Sequence, residues 1–255
     1  MELGSAKALV SGGCSGLGLA VGRALRQAGA RVAVLDIARE GTAGVSEALG
    51  REALCVECDV RSEEQVQKAV REAEDRLGGI TLAVNCAGVF QRQRVVGRDA
   101  MLSGAEFAQV LEVNLFGTFL ICREAADRMQ HNDPDVGGER GVIVNTSSIA
   151  AEDGQVGLAA YAAAKGGVAS LTLPLAREFS TFGVRVVAIA PGLFDTPMLH
   201  GLTEQARVDL CEQVPFPKRL GQPEEFAALV CHIYQNPMLN GTVIRLDGGL
   251  RLPGA

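Results

Sequence analysis

Short apolar runs alternate with amphipathic stretches along almost the whole chain. Residues 6–10, 31–35, 53–58, 80–84, 141–145, 184–190 and 242–246 are rich in Val, Ile, Leu and Ala and are bounded by turn residues, which predicts strands. Between them, 16–28, 43–49, 63–77, 103–129, 157–181 and 223–234 predict helices. The stretch 63–77 is the clearest of these. Val66, Ala69, Val70, Ala73 and Leu77 recur on one helical face, and Ser62 stands at the N-cap position. Strands that are apolar throughout, separated by helices, predict a parallel sheet covered by helices on both faces. The segments 89–103 and 130–140 are polar and read as surface loops, and the chain loosens after Pro191.

Composition narrows the picture. A chain of 255 residues with 47% apolar content predicts one α/β domain, 1–255, with a large core. A net charge of −6 argues against nucleic acid as the main partner. The 7 cysteines are scattered, and most fall in predicted core, so free thiols in a reducing compartment are expected. Cys55 and Cys58 form a C-x-x-C inside a predicted strand, but no second pair or histidine lies at ligand spacing, so no metal site is expected. The N-terminal residues carry no targeting pattern, and no apolar run approaches the ~18 residues of a membrane span. A cytoplasmic protein is expected, or a mitochondrial matrix protein if a targeting segment was removed.

Candidate chemistry begins at the first strand–helix junction. Gly12, Gly16 and Gly18 follow a G-x-x-x-G-x-G spacing there, which allows either a plain tight turn or close approach of a pyrophosphate to a helix N-terminus. Asp36 ends the second strand, 18 residues after Gly18. A carboxylate at that place accepts hydrogen bonds from an adenosine ribose and repels a 2′-phosphate, which favours NAD over NADP. Ile37, Ala38 and Cys14 add no cation, and Arg39 is the one nearby positive charge. Asp59 and Val60 follow the third strand, where Asp59 either meets an adenine or caps a helix. Further on, Ser148 lies just past a strand end, and Tyr161 and Lys165 stand four apart on one helical face. Tyrosine ionises near ~10, and a nearby cation favours its phenolate. The three together suit proton transfer at an alcohol or ketone.

These motifs, in this order and spacing, resemble the short-chain dehydrogenase/reductase family over the whole chain. The resemblance rests on the turn from Ser11 through Gly12, Ser15, Gly16 and Leu17 to Gly18, and on Asp59-Val60 and Asn85-Cys86-Ala87-Gly88. It continues through Asn114, Ser148, Tyr161-x-x-x-Lys165 and Pro191-Gly192 followed by Thr196. It implies a Rossmann-type, doubly wound sheet and a nicotinamide cofactor. About 1–150 would form the cofactor-binding part, and about 151–255 the catalytic helix and a substrate lid; residues 193–220 read as that lid because they follow a strand end and have glycines and prolines at their edges. Tyr161 would be the acid/base, Lys165 would lower its pKa and hold the ribose, and Ser148 would bind the substrate oxygen. The family serine lies 13 residues before the tyrosine, which selects Ser148 over Ser147. Asn114 would hold a relay water. Asn85, Ala87, Gly88, Pro191, Gly192 and Phe194 would line the cofactor, and Thr196 would meet the nicotinamide carboxamide. Ser11 replaces the usual threonine, and Cys86 replaces a commoner asparagine.

Within the family, the runs around Tyr161 and 191–199 and the polar loop NDPDVGGERG resemble a subgroup that oxidises 3-hydroxyacyl-CoA to 3-ketoacyl-CoA with NAD. That resemblance implies a homotetramer and a substrate contact from Gln155. Arg92, Arg94, Arg98, Lys218 and Arg219 are the bases available for CoA phosphates, or they are solvated loop charge. The alternatives are a dehydrogenase of another secondary alcohol, such as a steroid, and a non-catalytic partner subunit. The helices 103–129 and 157–181 have the small and apolar residues to pair between subunits, although a monomer core can also absorb them.

Overall fold

The computed structural model describes residues 1–37, 42–50, 52–98, 100–199, 201 and 203–254. Ala38, Arg39 and His200 therefore lie outside the described residues. The strands are β1 (Lys7–Ser11), β2 (Arg31–Asp36), β3 (Leu54–Glu57), β4 (Leu82–Asn85), β5 (Gly141–Thr146), β6 (Val184–Pro191) and β7 (Val243–Leu246). They form one sheet in the order β3-β2-β1-β4-β5-β6-β7, and every pairing is parallel. The helices are α1 (Gly16–Gln27), α2 (Thr42–Leu49), α3 (Glu63–Leu77), α4 (Gly104–Leu111), α5 (Gly117–Met129), α6 (Ala159–Phe179), α7 (Glu204–Gln213) and α8 (Pro223–Gln235).

Alternate residues of each strand feed opposite layers, as the period of two requires. Leu9 packs with Val66, Val70, Leu120, Ile121 and Met129 under α3 and α5. Its neighbour Val10 packs with Val21, Leu25, Phe226 and Val230 under α1 and α8. Each large side chain that leaves water in these layers contributes ~1.5–3 kcal/mol. This is the doubly wound, Rossmann-type architecture expected from the pattern.

Three differences from the sequence reading matter for the site. The single helix expected over 103–129 is α4 and α5 joined by a π-helical turn, Glu112–Phe116. This Gly104–Met129 rod of 26 residues is long and apolar enough by composition to cross a membrane. Here it packs against the sheet instead, with Leu120, Ile121, Ala125 and Met129 in the core. The second difference is α7, which lies in the region read only as a loose lid; Thr203 caps it by accepting from the Ala206 amide. The third is the 130–140 loop, which is tied down rather than free. Asn132 Nδ2 donates to the Ile80 and Arg140 carbonyls at 2.7 and 2.9 Å, and Glu139 pairs with the buried Arg185.

Candidate active site

Strand order reverses between β1 and β4, so the loops leaving their carboxyl ends diverge and open a crevice. The glycine turn after β1 and the 85–88 loop after β4 meet at its floor. Gly12 has φ of 65°, and a Cβ there would lie 2.6 Å from the Ala87 amide nitrogen. Only glycine permits both that backbone angle and that contact. Gly18 is equally constrained, since a Cβ on it would sit 2.2 Å from the Gly12 carbonyl oxygen. Ser11 Oγ donates to Asn85 Oδ1 at 3.2 Å, and Asn85 Nδ2 donates to Asn145 Oδ1 at 2.8 Å. This buried chain fixes the two loops against β5. Ser15 is extended at the α1 N-cap and its side chain makes no cap bond, so the first amides of α1 have no side-chain cap. Leu17 turns inward against the α1 core.

Asp36 is held in place by the turn it faces. Its Oδ2 accepts from the Cys14 amide at 3.1 Å and its Oδ1 from the Ile37 amide at 2.8 Å. Asp59 pairs with the Arg61 guanidinium at 2.6 Å, and that hydrogen bond holds its carboxyl below the ordinary range. The cap of α3 is Ser62, which accepts from the Gln65 amide, so the helix-cap reading of Asp59 does not hold. Val60 packs against Gly117 at the start of α5. Across the crevice, Pro191 ends β6 and Gly192 abuts Asp247. Phe194 is buried against Phe226, with ring centroids 6.5 Å apart. Thr196 faces the glycine turn: a Cβ built on Gly16 would lie 3.5 Å from Thr196 Cβ.

The third side of the crevice is the end of β5 and the first turns of α6. Ser148 Oγ accepts from the Ala150 amide at 3.1 Å and stands near enough to the Tyr161 hydroxyl to act on its ionisation. Phe90 meets the Tyr161 ring edge-on, with centroids 5.3 Å apart. Lys165 is only 4% exposed. Its Nζ donates to the Thr146 carbonyl at 2.8 Å and lies 5.7 Å from the Tyr161 ring centroid. Ser147 is used elsewhere, donating to the Lys165 carbonyl at 2.9 Å. Asn114 sits in the π-helical turn, fully buried. Its Nδ2 donates to the Val89 and Val110 carbonyls, while its Oδ1 has no partner and points at Gly88, where a Cβ would lie 2.7 Å away. The same Cβ would be 3.7 Å from Lys165 Nζ, so Asn114, Gly88 and Lys165 share one pocket.

The ionisation of the pair differs from the sequence expectation. Burial pushes the Tyr161 phenol up to about 12, against a smaller lowering by Ser148. Burial pulls the Lys165 ammonium down to about 8. In the protein by itself desolvation dominates both groups, and the ammonium over the ring does not bring the phenol down.

A family model described as short chain dehydrogenase matches residues 6–207. The chain belongs to that family. The dehydrogenase is 47% identical over 249 residues to the 3-hydroxyacyl-CoA dehydrogenase type-2 of Homo sapiens, covering 96% of this chain and 95% of that one. Similarity to the Drosophila melanogaster protein of the same name is 46% over 250 residues, covering 97% and 98%. The crystal structure of 3-hydroxyacyl-CoA dehydrogenase type-2 from Mycobacterium avium superposes with a TM-score of 0.93 at 40% identity, covering 99% of this chain and 98% of that one.

Membership makes the dehydrogenase a nicotinamide-dependent oxidoreductase, and the crevice fits such a cofactor. A glycine cradle that any Cβ would fill, an oriented carboxylate at Asp36 and an unpartnered buried oxygen on Asn114 all face it. Two contributors escape a reading of the sequence. Phe90 lies in a stretch that is polar on average, yet the Gln93 amide donates to the Gly157 carbonyl at 2.8 Å and draws that loop over the start of α6. Thr146 acts through its backbone carbonyl, which no side-chain pattern can reveal. Beside α6, Gln155 lines a cavity of about 380 Å³ with Arg94, Val95, Val96, Val156 and Ala162. Of the other candidate bases, Arg219 is committed to Glu225 through two bonds at 2.7 and 2.8 Å, and Lys218 Nζ donates to the Glu212 carbonyl.

Proposed function

We propose that this dehydrogenase oxidises 3-hydroxyacyl-CoA to 3-ketoacyl-CoA with NAD. The observation that carries the reading is the nearness of the Ser148 and Tyr161 hydroxyls, joined by a loop whose residues 154–158 line a mostly apolar cavity with Arg94. Near-full-length similarity to proteins named for that activity supports it. Ser148 Oγ and Tyr161 Oη bind the substrate oxygen. In oxidation Tyr161 takes the hydroxyl proton, and in reduction it returns it. A bound oxidised nicotinamide supplies the hydride acceptor, and its positive charge favours a phenolate at Tyr161. Lys165, whose own proton is loosened by burial, and the unpaired Asn114 Oδ1 form the path by which that proton leaves. Gln155 contacts the acyl end. Arg94 at the cavity wall, with exposed Arg92 and Arg98 nearby, is better placed for CoA phosphates than Arg219, which Glu225 already engages.

The NAD preference rests on Asp36. Its carboxylate is already oriented by two amides, so it accepts ribose hydroxyls without reorganising and opposes a 2′-phosphate. Asp36→Ala is expected to weaken NADH use by about tenfold to a hundredfold, the worth of charge-assisted hydrogen bonds. Use of NADPH should rise. Steady-state kinetics with both cofactors check this; an unchanged ratio would remove Asp36 from the specificity argument. Comparing 3-hydroxybutyryl-CoA with a hydroxysteroid as NAD-dependent substrates tests the substrate class. Faster turnover of the steroid would reject the acyl-CoA reading.

We also propose a homotetramer. A groove of about 660 Å³ between the α4–α5 rod and α6 is lined by Phe107, Leu111, Leu115, Phe116, Phe119 and Leu171. Phe116 and Phe119 are 44% and 37% exposed, a large apolar surface for a lone chain. Light scattering should give a mass near four times 26.7 kDa. A monomeric mass would overturn the assembly. The free thiols go with a reducing compartment, the cytoplasm or the mitochondrial matrix.

A further inference from the structure

The loop that carries Ser148 and Gln155 runs from the end of β5 to the start of α6. Its own bonds are a 3₁₀ turn at Ile149–Ala151, the Asp153 amide donating to the Ile149 carbonyl at 2.8 Å and the Leu158 amide donating to the Gln155 carbonyl at 3.0 Å. The Gln93 amide holds its end at the Gly157 carbonyl, and its middle is held from the far edge of the sheet. Arg245 on β7 spreads its guanidinium over four acceptors. Nε donates to Asp247 at 2.8 Å and Nη1 to Glu152 at 2.6 Å. Nη2 reaches both Asp153 at 2.8 Å and the Leu250 carbonyl at 2.9 Å. Ile149 adds an apolar anchor, packing with Val214 and Leu250.

We propose that Arg245 is a positioning residue for the substrate side of the site, holding the Ser148–Gln155 loop through Asp153 and Glu152. Three arguments support it. The side chains of Arg245, Asp153 and Asp247 are mostly shielded, at 18%, 15% and 10% exposure, so solvent screens these bonds far less than a surface pair. The Asp153 carboxyl sits below its ordinary range: burial alone would raise it, and the Arg245 bond and charge, with Arg251 and the Leu252 amide, outweigh that. The planar guanidinium also matches this arrangement of acceptors in a way one ammonium cannot. Removing it leaves Asp153 and Glu152 with only the exposed Arg251, 3.6 and 4.0 Å away, and takes the Arg245 partner from Asp247, and the carboxylates relax by swinging toward water and carrying the loop with them.

The same hub reaches two more loops. A Cβ on Gly192 would lie 2.8 Å from Asp247 Cβ, and one on Gly248 would lie 2.7 Å from Val214 Cγ1 just beyond α7. The Phe216 amide donates to the Gly248 carbonyl at 3.3 Å. Arg245 therefore sits where the serine loop, the loop after β6 and the segment after α7 converge. Among the described residues, none of the 11–18 turn hydrogen-bonds or ion-pairs with Arg245.

The inference rests on Ser148 and Gln155 being substrate contacts, so its test has one readout that needs no substrate. Hydrogen–deuterium exchange is compared in wild type, Asp153→Asn and Arg245→Gln. Amides over 149–158 should exchange about tenfold faster in both variants, while those over 11–18 hold their protection. Kinetics with acetoacetyl-CoA should show kcat lower by about tenfold to a hundredfold, the cost of misplacing a reactive group. NADH affinity should stay within about threefold of wild type. Arg245→Lys should recover part of kcat, and Asp153→Asn added to Arg245→Gln should cost nothing further. Unchanged loop exchange, or a parallel loss of NADH affinity, overturns the proposal. Faster loop exchange with unchanged kcat also overturns it, by showing that the loop's order does not matter to the reaction. If Arg245→Gln does not fold, Asp153→Asn alone decides. Wild type that fails on acetoacetyl-CoA indicts the substrate reading, and the exchange result still judges the hub.

Discussion

Tyr161→Phe is expected to lower kcat by about 10²–10⁴-fold, the contribution of one well-placed acid/base group. Nothing else in the site should change. The phenyl ring keeps its edge-on contact with Phe90 at 5.3 Å and its place under the Lys165 ammonium at 5.7 Å. What is lost is the hydroxyl and its interaction with Ser148. NADH titration and a melting curve on the variant should therefore match wild type, so a kinetic loss can be assigned to the missing hydroxyl. Activity retained within about tenfold would assign the proton to Ser148 or Lys165 instead and would end the proposed mechanism.

Lys165→Met is expected to remove most of the activity and to change how stability depends on pH. Burial moves the Lys165 ammonium from 10.5 to about 8. Between those values the unfolded chain carries a proton that the folded chain has released, so wild-type stability rises with pH across that window. Displacing a titration by one pH unit is worth about 1.36 kcal/mol, so the full rise is about 3 kcal/mol, and below pH 8 the whole penalty of burying the charge is present. The methionine variant has no such rise. Its Thr146 carbonyl loses a donor, which costs stability by a similar amount at every pH. The thiols of Cys14, Cys58 and Cys122, raised by burial, titrate alike in both proteins and cancel in the difference, while Cys86, which the Lys165 charge lowers, is pushed further up in the variant. Melting curves of both proteins at pH 7.5 and 9.5 measure this difference. Parallel curves would show that Lys165 titrates normally and is less shielded than the structure indicates.

Much of the architecture was legible because a parallel sheet buried on both faces leaves strands that are apolar at every position. The Tyr161–Lys165 pair was legible because four residues make nearly one helical turn. Where the reading fell short, the physical reasons are specific. Helix α7 has no buried residue, so it carries no apolar stripe to detect. The π-helical turn adds one residue to a helical run and barely disturbs the hydrophobic pattern, so only the polar Asn114 within EVNLF hinted at it. The loop holding Phe90 is polar on average, and what folds it over α6 is a backbone bond to Gly157. The direction in which the Tyr161 phenol moves depends on how completely the two groups leave water. Residue spacing fixes which groups meet, while burial decides their charge. Arg245 lies 80 residues from Lys165 in the chain, and only the closure of β7 onto β6 brings it to the serine loop.

The most direct test of the proposed function follows reduced-nicotinamide absorbance with acetoacetyl-CoA, using NADH and NADPH side by side. Rapid oxidation of NADH with stoichiometric formation of 3-hydroxybutyryl-CoA is expected, and slow or no oxidation of NADPH. Turnover with NADPH in preference to NADH, or none with either cofactor, would contradict it.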